Sequence, residues 1–470
     1  MRYLGLVALS VVALGSVTAS ANETRRVSFT ANPKAPELVC PAGPRARPTP
    51  PPATPDEDPE VVPTEEDLGD LAHPEPVPRP TVDPNLVAGF ALRADGGRVQ
   101  PLRVGVWGDS HMASGVFSGE LIRSLGSHGA EVETSYLPPT MGRSGVRLPI
   151  RKYCQATTWR FEPAYTSAAG ALQKGPSLVD LRSTRRGAYL WLDFRIDTQP
   201  SRVTGVRVMY LPTATASTLG ITLDNGTEQR IPLARSTNVN APLRTADIEV
   251  VAREGAPLST LKLRVIEGVA VMQGFMLTHR EPRPVTMDVF GLPSATVRGW
   301  AQIEAGYLKD ALRGRSYDAV ILQYGTNEGN DAKFDVDRYS NSLAAALEGL
   351  RAVFPDAACL LIGPTDRGVR IRKPSASRAR RQPAPEPPDL MKFARIHRDI
   401  TIAQAEVGKR YNCASWDWQA FMGGPASIYS WVLSTPPRAA RDLTHLTPTG
   451  YRQSAAGLAS ALGWNGAAGN

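Results

Sequence analysis

A serine, a histidine and an aspartate stand in segments whose composition suits acyl chemistry. Ser110 follows Gly-Asp at the end of an apolar run in "GVWGDSHMASG", and Asp442 and His445 sit three residues apart in "RDLTHLTPTGY". A serine hydroxyl is a poor nucleophile at neutral pH; it needs an imidazole to take its proton, and that imidazole needs an acceptor on its other ring nitrogen. An Asp-x-x-His spacing lets the carboxylate reach the imidazole of its own loop and fix its tautomer, so that the other nitrogen faces outward toward Ser110. Attack on an ester carbonyl creates an oxyanion that fixed donors must meet. The Ser110 amide, a second backbone amide and the side-chain amide of Asn327 in "YGTNEGN" are candidates. The expected set is Ser110 as nucleophile, His445 as general base and Asp442 as its orienter.

Each residue has a plainer use. Ser110 could cap a helix, Asp442 and His445 could form a surface turn, and Asn327 could cap a helix or fix the turn after Gly325. Trp416, Trp418 and Phe421 of "WDWQAFMGG" read as core residues, or as sugar-stacking faces in the case of Trp416 and Trp418. Glu328 either orients its neighbours or is solvated. The arginine-rich run "RGVRIRKPSASRARRQ" either holds substrate carboxylates or is a solvated loop. The six histidines (His73, His111, His128, His279, His397 and His445) include no pair at i, i+2 or i, i+4, and only His445 has a carboxylate beside it in a motif. No phosphate-cradling glycine loop is present. No metal and no cofactor are expected.

These residues must be positioned by elements legible in hydrophobic periodicity. "LRVGVW", "YDAVILQYG", "AACLLIGP" and "NCASWDW" read as buried strands, and helices follow over "SGVFSGELIRSLGSHG", with Ser114 as its cap and Gly126 near its end, over about 337–353 and 390–411, and from about 449. Strand alternating with helix predicts an α/β domain, a parallel sheet covered by helices on both faces. Between 155 and 285 the rhythm changes to short period-two runs such as "AYLWLDFRI", "VTGVRVMYLP" and "LKLRVIEG", which predicts a β-sandwich inserted into the α/β domain. The expected division is a signal peptide over 1–21, a proline-rich disordered linker over 22–89, a first α/β part over 90–154, the sandwich over 155–285 and a second α/β part over 286–470.

The signal is read from Met1-Arg2, the apolar stretch Leu4 to Val17 and the small-residue site Ala19-Ser20-Ala21, and it predicts export to the periplasm or cell envelope. No later run reaches the ~18 apolar residues of a membrane span. Net charge of +8 and pI near 9.4 favour an anionic polymer, yet the basic residues are scattered and no nucleic-acid motif accompanies them, which points to a cell-wall polymer or acidic glycan rather than DNA. A monomer is expected. The four cysteines, Cys40, Cys154, Cys359 and Cys413, have no C-x-x-C spacing. One bridge, with Cys359 and Cys413 the better pair because they fall in consecutive strands, and two buried free thiols are both open readings.

The blocks "GDSH", "GTNE" and "DLTH", in this order, resemble those of the SGNH or GDSL-type hydrolases over residues 101–150 and 285–465. The resemblance implies a flavodoxin-like α/β fold and a serine esterase. It assigns Ser110, His445 and Asp442 the roles given above and Asn327 an oxyanion donor role. The family supplies a further oxyanion donor from a glycine; this chain reads "FGLPSATVRGW", with Ser294 at that place after Pro293 and Gly291 as the alternative in a shifted register. A backbone N–H from Ser294 serves if its φ/ψ suit a residue with a Cβ. The inserted sandwich and "WDWQAFMGG" narrow the resemblance to the peptidoglycan O-acetylesterases of Gram-negative bacteria, whose sandwich is similar to a carbohydrate-binding module. That implies an acetylated cell-wall glycan as substrate, with acetyl transfer or glycan binding without catalysis as rival readings.

Overall fold

The computed structural model describes residues 23–32, 34–41, 60–73, 77–95, 98–127, 131–168, 170–196, 200–236, 245–331, 333–372 and 386–464; the expected signal segment, most of the proline-rich run and residues 373–382 of the arginine-rich run lie outside them. Six strands form one parallel sheet in the order Cys413–Trp416, Ala358–Ile362, Ala319–Gln323, Leu102–Gly108, Val285–Gly291, Val132–Glu133. The alternation of the central strand sorts its side chains into two cores. Val104 and Val106 pack on one face with Leu121, Met287, Ile321 and Leu458. Trp107 points to the other, among Phe290, Trp300, Leu322 and Phe354. The Trp107 indole stacks on Phe290 at 4.5 Å and its Nε1 donates to the Pro176 carbonyl at 2.8 Å, so Trp107→Ala would cost about 3–5 kcal/mol.

Two further sheets face one another over a separate core that includes Leu190, Ile221, Ile248 and Phe275. One runs Glu23–Phe29, Ala246–Ala252, Val203–Tyr210, Ala270–His279, Val179–Ser183, Arg160–Pro163, with Tyr136–Leu137 also paired to Ala270–His279; the other runs Gln229–Pro232, Thr218–Leu223, Thr260–Glu267, Tyr189–Asp193, Lys152–Gln155. The strand Val285–Gly291 was not anticipated, although "VTMDVFG" ends on glycine as "VGVWG" does.

The expected linker over 22–89 needs correction. Glu23–Phe29 is an edge strand paired in parallel with Ala246–Ala252, and Val27 and Phe29 are buried in the sandwich. Further on, Thr64 caps Glu65–Leu68 in a reciprocal capping box with Asp67, and Leu68, Ala72, Val87 and Phe90 are buried against the α/β domain. Proline and acidic residues dominate the composition, but these few apolar side chains at local helical or strand spacing are enough to dock it. The cysteine reading is corrected too: there are two disulfides, Cys359–Cys413 between directly opposed residues of adjacent strands, and Cys40–Cys154, which ties the N-terminal segment to the sandwich.

Candidate active site

Ligands of open parallel sheets bind beyond the carboxyl ends of the strands. Here three adjacent strands end level, with Gly108 opposite Gly291 on one side and Gln323 on the other. The segments that follow them carry Ser110, Ser294 and Asn327 respectively. Two glycines let the serine turn settle onto this edge. A Cβ at Gly108 would lie 2.3 Å from Met112 Cγ, and one at Gly291 would lie 2.3 Å from the Ala113 amide nitrogen. Gly291 thus serves close packing beneath the serine turn.

Ser110 opens a four-residue helix, Ser110–Ala113, whose cap is Asp109: its carboxylate accepts from the His111 amide at 2.9 Å. The capping role that Ser110 could have taken is therefore filled, and the Ser110 hydroxyl points elsewhere. Its Oγ lies 2.9 Å from His445 Nε2, and His445 Nδ1 lies 2.7 Å from Asp442 Oδ2. Local geometry explains the Asp-x-x-His spacing. Leu443 takes a left-handed conformation at φ 55°, folding the turn so that Asp442 Oδ1 accepts the amides of Thr444 at 3.0 Å and His445 at 2.9 Å while Oδ2 takes the ring. Partial burial opposes the charge on Asp442, but the His445 ring and the two amides together hold its carboxyl well below the usual range. The hydrogen bond that the His445 ring donates to Asp442 raises the pKa of His445 against its own partial burial. Such a line can pass a serine proton to an imidazole whose tautomer is fixed.

Behind the triad stands a second histidine, His111 of the "GDSH" block, to which the sequence reading gave no role. His111 is fully buried, with its ring centroid 5.4 Å from that of His445; Nδ1 lies 3.0 Å from the Tyr451 hydroxyl and Nε2 3.5 Å from Thr365 Oγ1. Burial drives its pKa well below the ordinary value, so it is a neutral wall. Asp109 is buried as well and pushed up to about 6, although the His111 amide favours its charge. Trp418 packs on His111 at 5.4 Å and on Phe117 at 4.8 Å. Trp416 and Trp418 are 1% and 0% exposed, which removes them as sugar-stacking faces: they are core, supporting the triad from beneath.

The segments after the two flanking strands are tied to each other. Asn327 Nδ2 donates to the Ala295 carbonyl at 2.8 Å, which uses one of its two protons. Glu328 accepts the Val297 amide at 2.8 Å and the Gly325 amide at 3.1 Å, so a single carboxylate clamps both loops; burial pushes it up to about 7. Ser294 is exposed and takes φ 68°, the region a glycine would occupy. From the sandwich side, the Tyr165 hydroxyl donates to the Pro293 carbonyl at 3.3 Å. A cavity of about 750 Å³ opens here, lined by Tyr165, Ser294, Val297, Asn327, Phe334 and Arg338 among others. Among the described residues no three of His, Cys, Asp and Glu come together as a metal-holding group, and no helix is long and apolar enough to cross a membrane.

No family model matches the chain, and no curated protein matches it. Solved structures do. A peptidoglycan O-acetylesterase superimposes with a TM-score of 0.55 at 20% identity, covering 81% of this chain and 93% of that one. A family two carbohydrate esterase from Clostridium thermocellum matches 65% of this chain and 99% of its own at 10% identity and TM-score 0.25, and a carbohydrate-binding module from Clostridium stercorarium matches 32% and 95% at 12% and 0.21, values too low to argue from. Over four-fifths of its length, then, this chain resembles a peptidoglycan O-acetylesterase in its fold.

Proposed function

We propose that the protein is an exported serine esterase of the SGNH type that removes O-acetyl groups from a cell-wall glycan, peptidoglycan, through an acyl-enzyme. The observation that carries this reading is the hydrogen-bonded line of Ser110, His445 and Asp442, at 2.9 and 2.7 Å, at the carboxyl edge of a parallel sheet. Ser110 Oγ attacks the acetyl carbonyl carbon as its proton moves to His445 Nε2, and the oxyanion is met by the amides of Ser110 and Ser294 and by the remaining Nδ2 proton of Asn327. His445 gives its proton to the departing sugar oxygen. It then takes one from water, whose oxygen attacks the acyl-enzyme; as the bond to Ser110 breaks, His445 returns that proton to Ser110 Oγ, and acetic acid leaves and ionises to acetate.

The glycine-like φ of Ser294 argues against a spoiled oxyanion site, and hence against a glycan-binding protein without catalysis. Transfer to a second sugar would require water to be excluded from the acyl-enzyme, whereas the His445 side chain is 43% exposed, which favours hydrolysis. Two disulfides fit an oxidising compartment such as the periplasm. The test is acetate release from O-acetylated peptidoglycan and from acetylated xylan by the parent and by Ser110→Ala. Release from peptidoglycan by the parent alone is expected; equal release by both proteins would end the proposal.

A further inference from the structure

The arginine-rich run begins at Arg367, five residues beyond the sheet strand Ala358–Ile362. Its segment is bonded to both halves of the triad's surroundings. Thr365 Oγ1 lies 3.5 Å from His111 Nε2 and donates to the Thr444 carbonyl at 3.4 Å, and the Gly368 amide donates to the Leu443 carbonyl at 3.0 Å. Arg367 is half-buried, with its guanidinium 4.1 Å over the Phe393 ring, on which the Lys392 ammonium also bears at 5.6 Å. Its Nε and Nη1 are buried without a hydrogen-bond partner. Burial lowers its pKa while the Asp442 carboxylate works the other way, yet Asp442 is already engaged by His445 and Thr444.

A stacked, partly desolvated cation beside an ester-cleaving triad is costly unless an anion completes it. A guanidinium fixed by stacking loses little freedom when it takes a planar carboxylate. We propose that Arg367 receives a carboxylate carried by the substrate close to its O-acetyl group, so that the site prefers acetylated glycans with an acidic substituent over neutral ones. The inference rests on the esterase reading above and names the substrate class within it.

The test compares kcat/KM for O-acetylated muramoyl oligosaccharides whose carboxyl groups are free with the same compounds amidated, using the parent, Arg367→Gln and Arg367→Lys. The parent should prefer the free carboxylate, and in Arg367→Gln that preference should fall by about 10- to 100-fold, mostly in KM, with partial recovery in Arg367→Lys. An O-acetylated glucuronate oligosaccharide and its amide tell a lactyl or peptide carboxylate from a uronate: loss of preference in either pair supports the proposal and identifies the source. An unchanged ratio in Arg367→Gln for both pairs, or no preference in the parent, overturns it, and would mean that Arg367 acts on Asp442 through its field alone. Failure of the esterase reading looks different, because the parent would then match Ser110→Ala on every ester, p-nitrophenyl acetate included.

Discussion

If the second oxyanion donor is the Ser294 backbone amide, its side chain should be dispensable and its backbone angle should not. Ser294 is held at φ 68° by contacts on both sides: Tyr165 on the Pro293 carbonyl, Asn327 on the Ala295 carbonyl and Glu328 on the Val297 amide. The left-handed backbone costs a residue with a Cβ roughly 1–2 kcal/mol, and replacing it with glycine loosens the unfolded chain by about 0.4–1 kcal/mol. Ser294→Gly should therefore range from neutral to about 1.6 kcal/mol more stable, a rise of a few degrees at most in Tm, with kcat on p-nitrophenyl acetate within about threefold of the parent because the N–H stays in place. Ser294→Val puts a β-branched residue at the same angle. The loop must then rotate the amide away, and kcat should fall about 100- to 1000-fold with little change in KM, the loss expected for one oxyanion donor. The assay is steady-state hydrolysis of both variants with thermal unfolding alongside to confirm folding. If Ser294→Gly loses as much as Ser294→Val, the hydroxyl is the donor; if Ser294→Val keeps full activity, this amide does not stabilise the transition state, and either result refutes the reasoning.

Two further outcomes follow from the charges around the site. On the proposed mechanism hydrolysis needs a neutral His445, whose pKa the hydrogen bond to Asp442 raises above its ordinary value, so kcat/KM should fall on the acid side of a midpoint above that value; in Asp442→Asn the midpoint should move to lower pH and the rate should drop by about 10⁴-fold, and a pH–rate profile with an unmoved midpoint would count against the pairing. Glu328, raised from 4.5 to about 7 by burial, holds a proton in the folded state over a range where the unfolded chain has lost it. Its contribution to stability is therefore full below about pH 4.5 and declines as pH rises to 7, by on the order of 3 kcal/mol. Glu328→Gln should flatten that slope in a plot of Tm against pH while lowering kcat, since an amide cannot accept both the Val297 and Gly325 N–H groups; an unchanged slope would show that Glu328 is not the group responsible.

The parts of the site legible in the sequence were those whose chemistry is local. Asp442 and His445 share one turn, and the strand that delivers Ser110 is a plain apolar run, so spacing and periodicity sufficed to name them. Ser294 was reachable only by resemblance, because nothing in "LPSATV" announces a left-handed backbone at a serine. His111, Tyr451 and Thr365 act across gaps of up to 340 residues, and no pattern in one chain encodes such a distance. The tryptophans left core and sugar-facing readings both open, because an aromatic pair beside such a motif reads the same whether it faces sugar or props up a buried imidazole; burial decides for core. The N-terminal strand was hidden for a compositional reason: "TRRVSF" has only two inward residues, and its partner Ala246–Ala252 was itself not read as a strand.

The parallel pairing of Glu23–Phe29 with Ala246–Ala252 also sets an order of events during biogenesis. A polypeptide threaded from its N-terminus delivers this strand first, yet the ladder it joins is not complete until residue 252 has emerged. Throughout that interval the leading segment has an open edge, so the sandwich belongs to the slow, nonlocal class of folding problem and is the stage at which a holding chaperone would have most to protect.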